Sequence, residues 1–207
     1  NVPVRAGIIA RIHGVPFEDF KKRLFSPLEH IVLAEYDSIV RDYMYRTRHP
    51  HIAEIVFERI LNKLEERYDL YIKCLRELNV DYTTDSKAFW QMVRGRTVLD
   101  LFHSHELAKL VYEAARERVG DDPHLLHQMA IYEMIRPSGN INESLNMLTQ
   151  AERLAPYDPT IKHSIAELRL RLVDSARTPL EKEKLMREAS EICVALKASN
   201  PANTYSY

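Results

Sequence analysis

The chain of 207 residues carries 29 Lys and Arg against 30 Asp and Glu, and it is 45% hydrophobic and 29% charged. That composition supplies cores for one large or two modest domains and excludes a disordered tail. No apolar run approaches the roughly 18 residues of a membrane span, and the charge balance gives no general pull toward nucleic acid. A soluble protein with no membrane partner is expected. Cys74 and Cys193 are the only thiols and stand far apart, which suits two small core-lining residues in a reducing, cytoplasmic setting. The chain opens at Asn1 on residues that read as mid-domain sequence, with no initiator Met, signal peptide or transit peptide there, and Pro201 reads as the start of another helix. These ends imply a piece of a longer protein.

From Val4 to Ile12, the residues Ala6, Ile8, Ile9 and Ile12 share a helical face, and Gly14 followed by Pro16 ends a short first helix. A second helix is expected from Pro16, with Phe17, Phe20, Leu24 and Phe25 inward and Glu18, Asp19, Lys21 and Lys22 outward. Acids before bases suit the helix dipole. Ser26-Pro27 makes a brief turn, and Ile31 to Ala34 opens a hairpin that turns somewhere between Glu35 and Asp42. Its second strand carries Tyr43, Tyr45 and Thr47 alternating with Met44, Arg46 and Arg48, a period of two with one face packed. Small helices followed by a hairpin make a winged helix, assigned with its exit helix to residues 1–66. Residues 1–50 hold eight Lys and Arg against six Asp and Glu. Ser26 to His30, where a recognition helix is expected, has Glu29 and no Lys or Arg, a poor reader of the major groove.

The stretch from Asp42 to Leu64 organises the chain. Pro50 excludes the α region for the residue before it yet suits the first position of a helix, so the strand ends at His49 and a helix begins at Pro50. Ile52, Ile55, Val56, Ile60 and Leu64 follow at steps of three and four, opposite Glu54, Glu58, Arg59, Asn62 and Glu65. The pattern predicts uninterrupted helix with that apolar stripe buried, breaking near Tyr68 or running on through Leu70, Tyr71, Cys74, Leu75 and Leu78 to a stop at Asn79. His49, held between a strand and a helix start, is placed to meet an anion.

A strand closing on Tyr45, then Arg48-His49-Pro50, then Ile52-Ala53-Glu54-Ile55-Val56, resembles the end of the winged-helix domain in STAND-type regulatory NTPases. In that family an effector and a P-loop nucleotide switch precede the winged helix, and a helical-repeat sensor follows it. The resemblance implies that His49 corresponds to the histidine of the methionine-histidine-aspartate motif, touching the diphosphate of ADP, with Arg48 as a second anion contact. Arg48 stands where the motif has Met and Pro50 where it has Asp. The layout covers the whole chain, whereas the matching residues lie in this stretch alone. Local geometry leaves a plainer alternative, in which His49 caps the helix and Arg48 pairs with an acid such as Glu54.

Further on, Asp85 or Ser86 is expected to cap a helix bearing Phe89, Trp90 and Met92 up to Gly95, with Trp90 a core anchor. Thr97 to Arg118 reads as helix again, and no strand signal returns. An internal repeat then appears. Pro123 and Pro159 are 36 apart, as are Ala115 and Ala151, Leu125 and Ile161, and Ala130 and Ala166, a period near that of tetratricopeptide helix pairs. Ala151, Leu154, Pro156, Asp158 and Pro159 resemble the end of such a repeat, although the consensus aromatic positions are not cleanly filled. Pro159 to Pro201 spans 42 residues, which places an insertion around Ala176 to Pro179. The expected fold is therefore mainly α, a winged helix followed by an α-solenoid over residues 67–207.

The five glycines, Gly7, Gly14, Gly95, Gly120 and Gly139, form no phosphate-cradling loop. No catalytic residues and no resident cofactor or metal are assigned to this chain, and ADP or ATP is implied only for the full-length protein. His103 with His105, and His124 with His127, lack the further ligands zinc requires, and they are expected at helix starts or wet surfaces. The alternating charges from Glu181 to Arg187 read as a solvated helix face. First helices of repeat pairs commonly line a groove, which nominates Gln128, Tyr132, Lys162 and Arg169 as contacts for a protein or peptide partner. The resemblance implies the sensing part of a STAND-like ATPase in antiviral defence, docked on its own upstream nucleotide domain and oligomerising on activation. The alternatives are a freestanding tetratricopeptide adaptor and a winged-helix DNA-binding regulator.

Overall fold

A computed structural model describes residues 3–39 and 41–199, so Pro201 and the helix expected there lie outside the described residues. The chain is mainly helical with a small antiparallel sheet. It forms two compact units, Asn1–Met92 with Glu113–Arg118 and Val93–Tyr112 with Val119–Tyr207. The first unit thus continues past the boundary expected at residue 66. Among the described residues, no helix is long and apolar enough to cross a membrane.

In the first unit, strand β1 (Val4–Arg5) leads directly into helix α1 (Ala6–His13). Gly14 closes α1 at φ 62°, its amide reaching the carbonyls of Ala10 and Arg11, a left-handed cap that glycine adopts without steric cost. Val4 and Arg5 were expected inside this helix. They pair instead with Tyr45 and Met44, because an open sheet edge satisfies their backbone better than one more frayed turn would. The expected second helix is also irregular: a 3-10 turn at Phe17–Asp19, a π turn at Lys21–Phe25 and a 3-10 turn at Ser26–Leu28. The widened middle turn brings Phe20 and Phe25 edge-on to Tyr45, at centroid distances of 4.9 and 5.2 Å. Phe20 is buried with Ala6 and Ala10, whereas Phe17, expected inward, is exposed.

Strands β2 (Val32–Asp37) and β3 (Asp42–Thr47) form the hairpin, in a register running from Val32 opposite Thr47 to Asp37 opposite Asp42. The sheet order is β1-β3-β2, so β3 is central. Both its faces are used: Met44 is buried and Tyr45 packs on the Phe20 cluster, while Tyr43 is exposed. Tyr43 meets Tyr36, directly opposite, at 5.4 Å on one face, and Arg46 pairs diagonally with Glu35 at 2.6 Å on the other.

Helix α2 (Pro50–Ile60) starts where expected but buries no residue. Ile55 is 52%, Val56 45% and Ile60 66% exposed, so the stripe predicted to face a core does not. The helix also ends early, at Leu61, and α3 (Leu64–Glu77) begins after a three-residue break, stopping just before Asn79. Helix α4 (Thr83–Met92) follows, with Phe89 fully buried and Trp90 edge-on to it at 5.1 Å. Asp85 is not a cap. Its carboxylate is 1% exposed and accepts both Nε and Nη2 of Arg5, at 2.8 and 2.7 Å, together with the Asn79 amide.

The second unit contains α5 (Gly95–Leu101), α7 (Pro123–Ile135), α8 (Ile141–Leu154), α9 (Pro159–Ser175) and α10 (Pro179–Ser199), while α6 (His105–Val119) contributes its first half. The helix expected from Thr97 to Arg118 is therefore two helices, separated at residues 102–104. The 36-residue period has a visible cause. Asp122 and Asp158 each accept the two amides that open the following helix, with Pro123 and Pro159 next in line. Ala115, Ala130, Ala151 and Ala166 are all buried, as are Leu125 and Ile161. Helices α7 and α8 pack as a pair, as do α9 and α10, around Leu126, Ala130, Leu148, Ala151, Ile161, Ile165 and Leu168. The extra length expected as an insertion around Ala176 to Pro179 lies in the helices on either side, since α9 has 17 residues against 13 in α7 and α10 has 21 against 14 in α8. Gly95 opens α5 where a Cβ would lie 2.7 Å from the Tyr132 amide nitrogen, and its own amide donates to Gln128 Oε1 at 3.1 Å.

Two outcomes follow from this packing. Ala130→Leu or Ala151→Leu overfills a closed helix contact and is expected to cost about 1–3 kcal/mol, while Lys184→Ala on the exposed face of α10 costs under about 0.5 kcal/mol, read from thermal melts. Asp85→Ala leaves the Arg5 guanidinium inside without its counter-ion and is expected to cost about 3–5 kcal/mol in urea titration, well above the cost of removing the exposed Glu35 partner of Arg46.

Candidate functional site

The junction of β3 and α2 is built by two constraints. The Arg48 amide continues the hairpin ladder past Thr47, donating to the Ile31 carbonyl at 2.8 Å. Pro50 then holds His49 in an extended conformation, φ −134° and ψ 136°. From there His49 caps α2: its Nδ1 accepts the His51 amide at 3.3 Å, and its carbonyl accepts the Ile52 amide at 3.1 Å. The rings of His49 and His51 stack at 5.1 Å, and His51 Nδ1 lies 2.6 Å from Glu54 Oε2. Arg48 donates through Nη2 to the Glu29 carbonyl at 3.2 Å, so Glu54 pairs with His51 where Arg48 had been the expected partner.

This geometry fixes a tautomer. With Nδ1 accepting a hydrogen bond, the proton of the neutral His49 ring sits on Nε2, which makes the imidazole a donor. Arg48 and His49 are both exposed. A guanidinium, an imidazole donor and the positive end of α2 at one turn can receive an anion carried by another surface.

The four residues nominated on the helix pairs separate into two kinds. Gln128 and Tyr132 are interior, and neither lines a groove as expected. Gln128 receives the Gly95 amide, and Tyr132 stacks parallel to His105 at 6.0 Å with Tyr112 edge-on at 5.7 Å. Lys162 and Arg169 are half-buried on α9, Lys162 near the Tyr157 ring at 6.0 Å and Arg169 3.5 Å from Glu188. Helix α7 is apolar or buried around most of its circumference, which is why a groove assignment that assumed an amphipathic first helix fails there.

The Arg5–Asp85 and His127–Ser164 contacts are not legible in local sequence rules. Nothing in local spacing joins Arg5 to Asp85, 80 positions away. His127, expected on a wet surface or at a helix start, is buried, with Nε2 2.8 Å from Ser164 Oγ and Nδ1 sealed from solvent without a partner. Here a signal existed, since 127 and 164 are nearly one repeat period apart. Among the described residues, no group of three or more His, Cys, Asp or Glu is placed to hold a metal ion. Comparison with protein-family models, with curated proteins and with solved structures finds no match.

Burial, aided by His124, pushes His127 down to about 4, with Asp158 opposing and His163 adding to the fall. A histidine held below its ordinary value stabilises the fold fully above about pH 6.5, and that contribution is lost as pH falls toward the folded value. At pH 5 the loss is expected to be about 2 kcal/mol. Urea titrations at pH 7 and pH 5 are expected to show this difference in the wild type and to lose most of it in His127→Gln, which retains a polar group for Ser164.

Proposed function

We propose that this chain is the regulatory and sensing portion of a STAND-type NTPase switch. The observation that carries the reading is the position of His49 in its topology. A short strand, a helix, an irregular helical segment and a hairpin, with sheet order β1-β3-β2, is the arrangement expected of a winged helix whose final strand delivers Arg48-His49 to the start of α2. In this reading His49 and Arg48 contact the terminal phosphate of ADP held by the upstream nucleotide domain of the same chain. A charge-assisted contact made only in the closed state biases closed against open by its own energy. The Asp-Pro-capped pairs α7–α8 and α9–α10 act as tetratricopeptide-like units that take a protein or peptide signal, with Lys162 and Arg169 the remaining candidate contacts. The chain itself is not the enzyme, the setting is cytoplasmic, and activation proceeds by oligomerisation in antiviral defence.

One feature favours the DNA-binding alternative. The helical segment before β2 extends back to Phe17 and includes exposed Lys21, Lys22 and Arg23, which the narrower assignment at Ser26 to His30 omitted. Against it, Glu18 and Asp19 share the segment, Arg23 lies 3.9 Å from Asp19, and the backbone is not the regular helix that enters a major groove.

Because His49 is also a helix cap, the test separates the two roles. In the full-length protein His49→Ala removes cap and imidazole, whereas His49→Asn restores a capping oxygen alone. Both variants are expected to lower ADP retention at least tenfold and to raise output without signal, and only His49→Ala lowers the melting temperature. Unchanged ADP retention in both variants leaves His49 a cap and favours the freestanding adaptor. Salt-dependent binding of duplex DNA by the chain, abolished by Lys21→Ala with Lys22→Ala, favours the DNA-binding regulator.

A further inference from the structure

Helices α2 and α3 are separated by Leu61, Asn62 and Lys63, and none of these is a Gly or Pro that stops a helix. Yet the backbone leaves the helical region at Leu61, φ −99° and ψ 54°, and at Lys63, φ −92° and ψ 134°. No side chain caps α3 at Lys63. Core packing does not impose the bend either, since α2 buries no residue. Apolar positions keep helical spacing straight across it, from Ile52 to Leu64.

Arg67 bridges the break. Its guanidinium lies over the Phe57 ring at 4.4 Å, and its Nε donates to the Leu61 carbonyl. In a continuous helix that carbonyl would accept the amide of Glu65, four residues on. The Arg67 side chain therefore replaces the backbone donor that the break removes. The remaining support is weak: an exposed Lys63–Glu66 pair at 2.9 Å, and Glu65 and Glu66 in the first turn of α3, where acids suit the dipole.

We propose that the α2–α3 junction is a two-state hinge, a bend pinned by Arg67 that converts to one continuous helix over residues 50–77 when the pin is released. Conversion would give the amides of Asn62, Lys63, Leu64 and Glu65 the carbonyls of residues 58–61 and would swing α2 relative to α3. His49 sits on the far end of α2, so the hinge supplies a route by which a signal arriving on the α3 side could move His49. That regulatory meaning rests on the nucleotide reading, whereas the hinge itself does not.

The test uses the 207-residue chain without nucleotide. Arg67→Ala is expected to slow exchange of the amides at residues 62–65 at least tenfold relative to wild type. Spin labels on Glu54→Cys and Lys73→Cys, with Cys74→Ser and Cys193→Ser, are expected to move apart toward the straight-helix separation of about 28 Å. Asn62→Gly added to Arg67→Ala is expected to reverse both changes, because glycine disfavours the continuous helix. Arg67→Lys, which keeps a cation near Phe57 without the guanidinium fork, serves as a milder second variant and is expected to give an intermediate distance. Unchanged exchange and distance in both Arg67 variants would overturn the hinge, as would faster exchange across residues 53–60, which would mean that the released helix melts and does not straighten. ADP retention by the His49 variants plays no part in these readouts, so each proposal can fail alone.

Discussion

The first turn of an α-helix exposes amide hydrogens that no helical carbonyl can receive, and this chain answers that constraint repeatedly with one device. At His49, Asp122 and Asp158 a side chain accepts the orphan amides and a proline follows, contributing no amide and a preset φ. The device does different work in each unit. Between Asp122 and Asp158 it sets the phase of two helix pairs, so that alanines one period apart fall on the same packed faces. At His49 it joins a strand to a helix and, because an imidazole is used where a carboxylate would cap as well, it leaves a ring N–H donor at the turn.

Features governed by short-range rules were therefore legible in the sequence. Pro50, Pro123 and Pro159 announce helix starts, Gly14 announces an end, and the spacing of Ala130 and Ala166 announces close packing. Features set by partners distant in the chain were not. Val4 and Arg5 have helical neighbours but lie beside β3, and the widened turn at Lys21–Phe25 exists because Phe20 and Phe25 both reach Tyr45. Gln128 and Tyr132 looked like surface residues of an amphipathic helix, whereas α7 is enclosed on most sides. For the candidate site, the positions of Arg48 and His49 followed from the hydrophobic period and Pro50, but the hydrogen bonds of both did not. Arg48 turns back to the Glu29 carbonyl, and the acid expected for it is taken by His51.

Asp85 in the first unit and His127 in the second are both deeply placed polar groups, and the two differ in how completely they are satisfied. Asp85 is matched on both oxygens by Arg5 and the Asn79 amide, so its charge is compensated as well as buried, and the contact ties β1 to α4. His127 has one nitrogen matched by Ser164 and the other closed off from water. An imidazole in that position is compatible with the fold while neutral, and a second N–H would have no acceptor. The same depth of burial thus produces a firm ionic tie in one unit and a proton-sensitive contact in the other.

The α2–α3 break shows what happens where the capping rule is not obeyed. Lys63 offers no acceptor to the amides of α3, and Leu61 offers no glycine to turn the end of α2, so the separation of the two helices is not written into the residues between them. It depends instead on Arg67, which reaches back to occupy the carbonyl that helix continuity would claim. Helix α2 is anchored through His49 and β3 at one end and met by the Arg67 guanidinium at the other, and it buries no residue. A helix with such support responds to small changes at either end, because few other contacts must be broken for it to reorient. The histidine with the exposed donor sits at the start of this helix, and not on one of the alanine-packed helices of the second unit, so any reorientation of α2 at the proposed hinge would carry the chemistry at its tip.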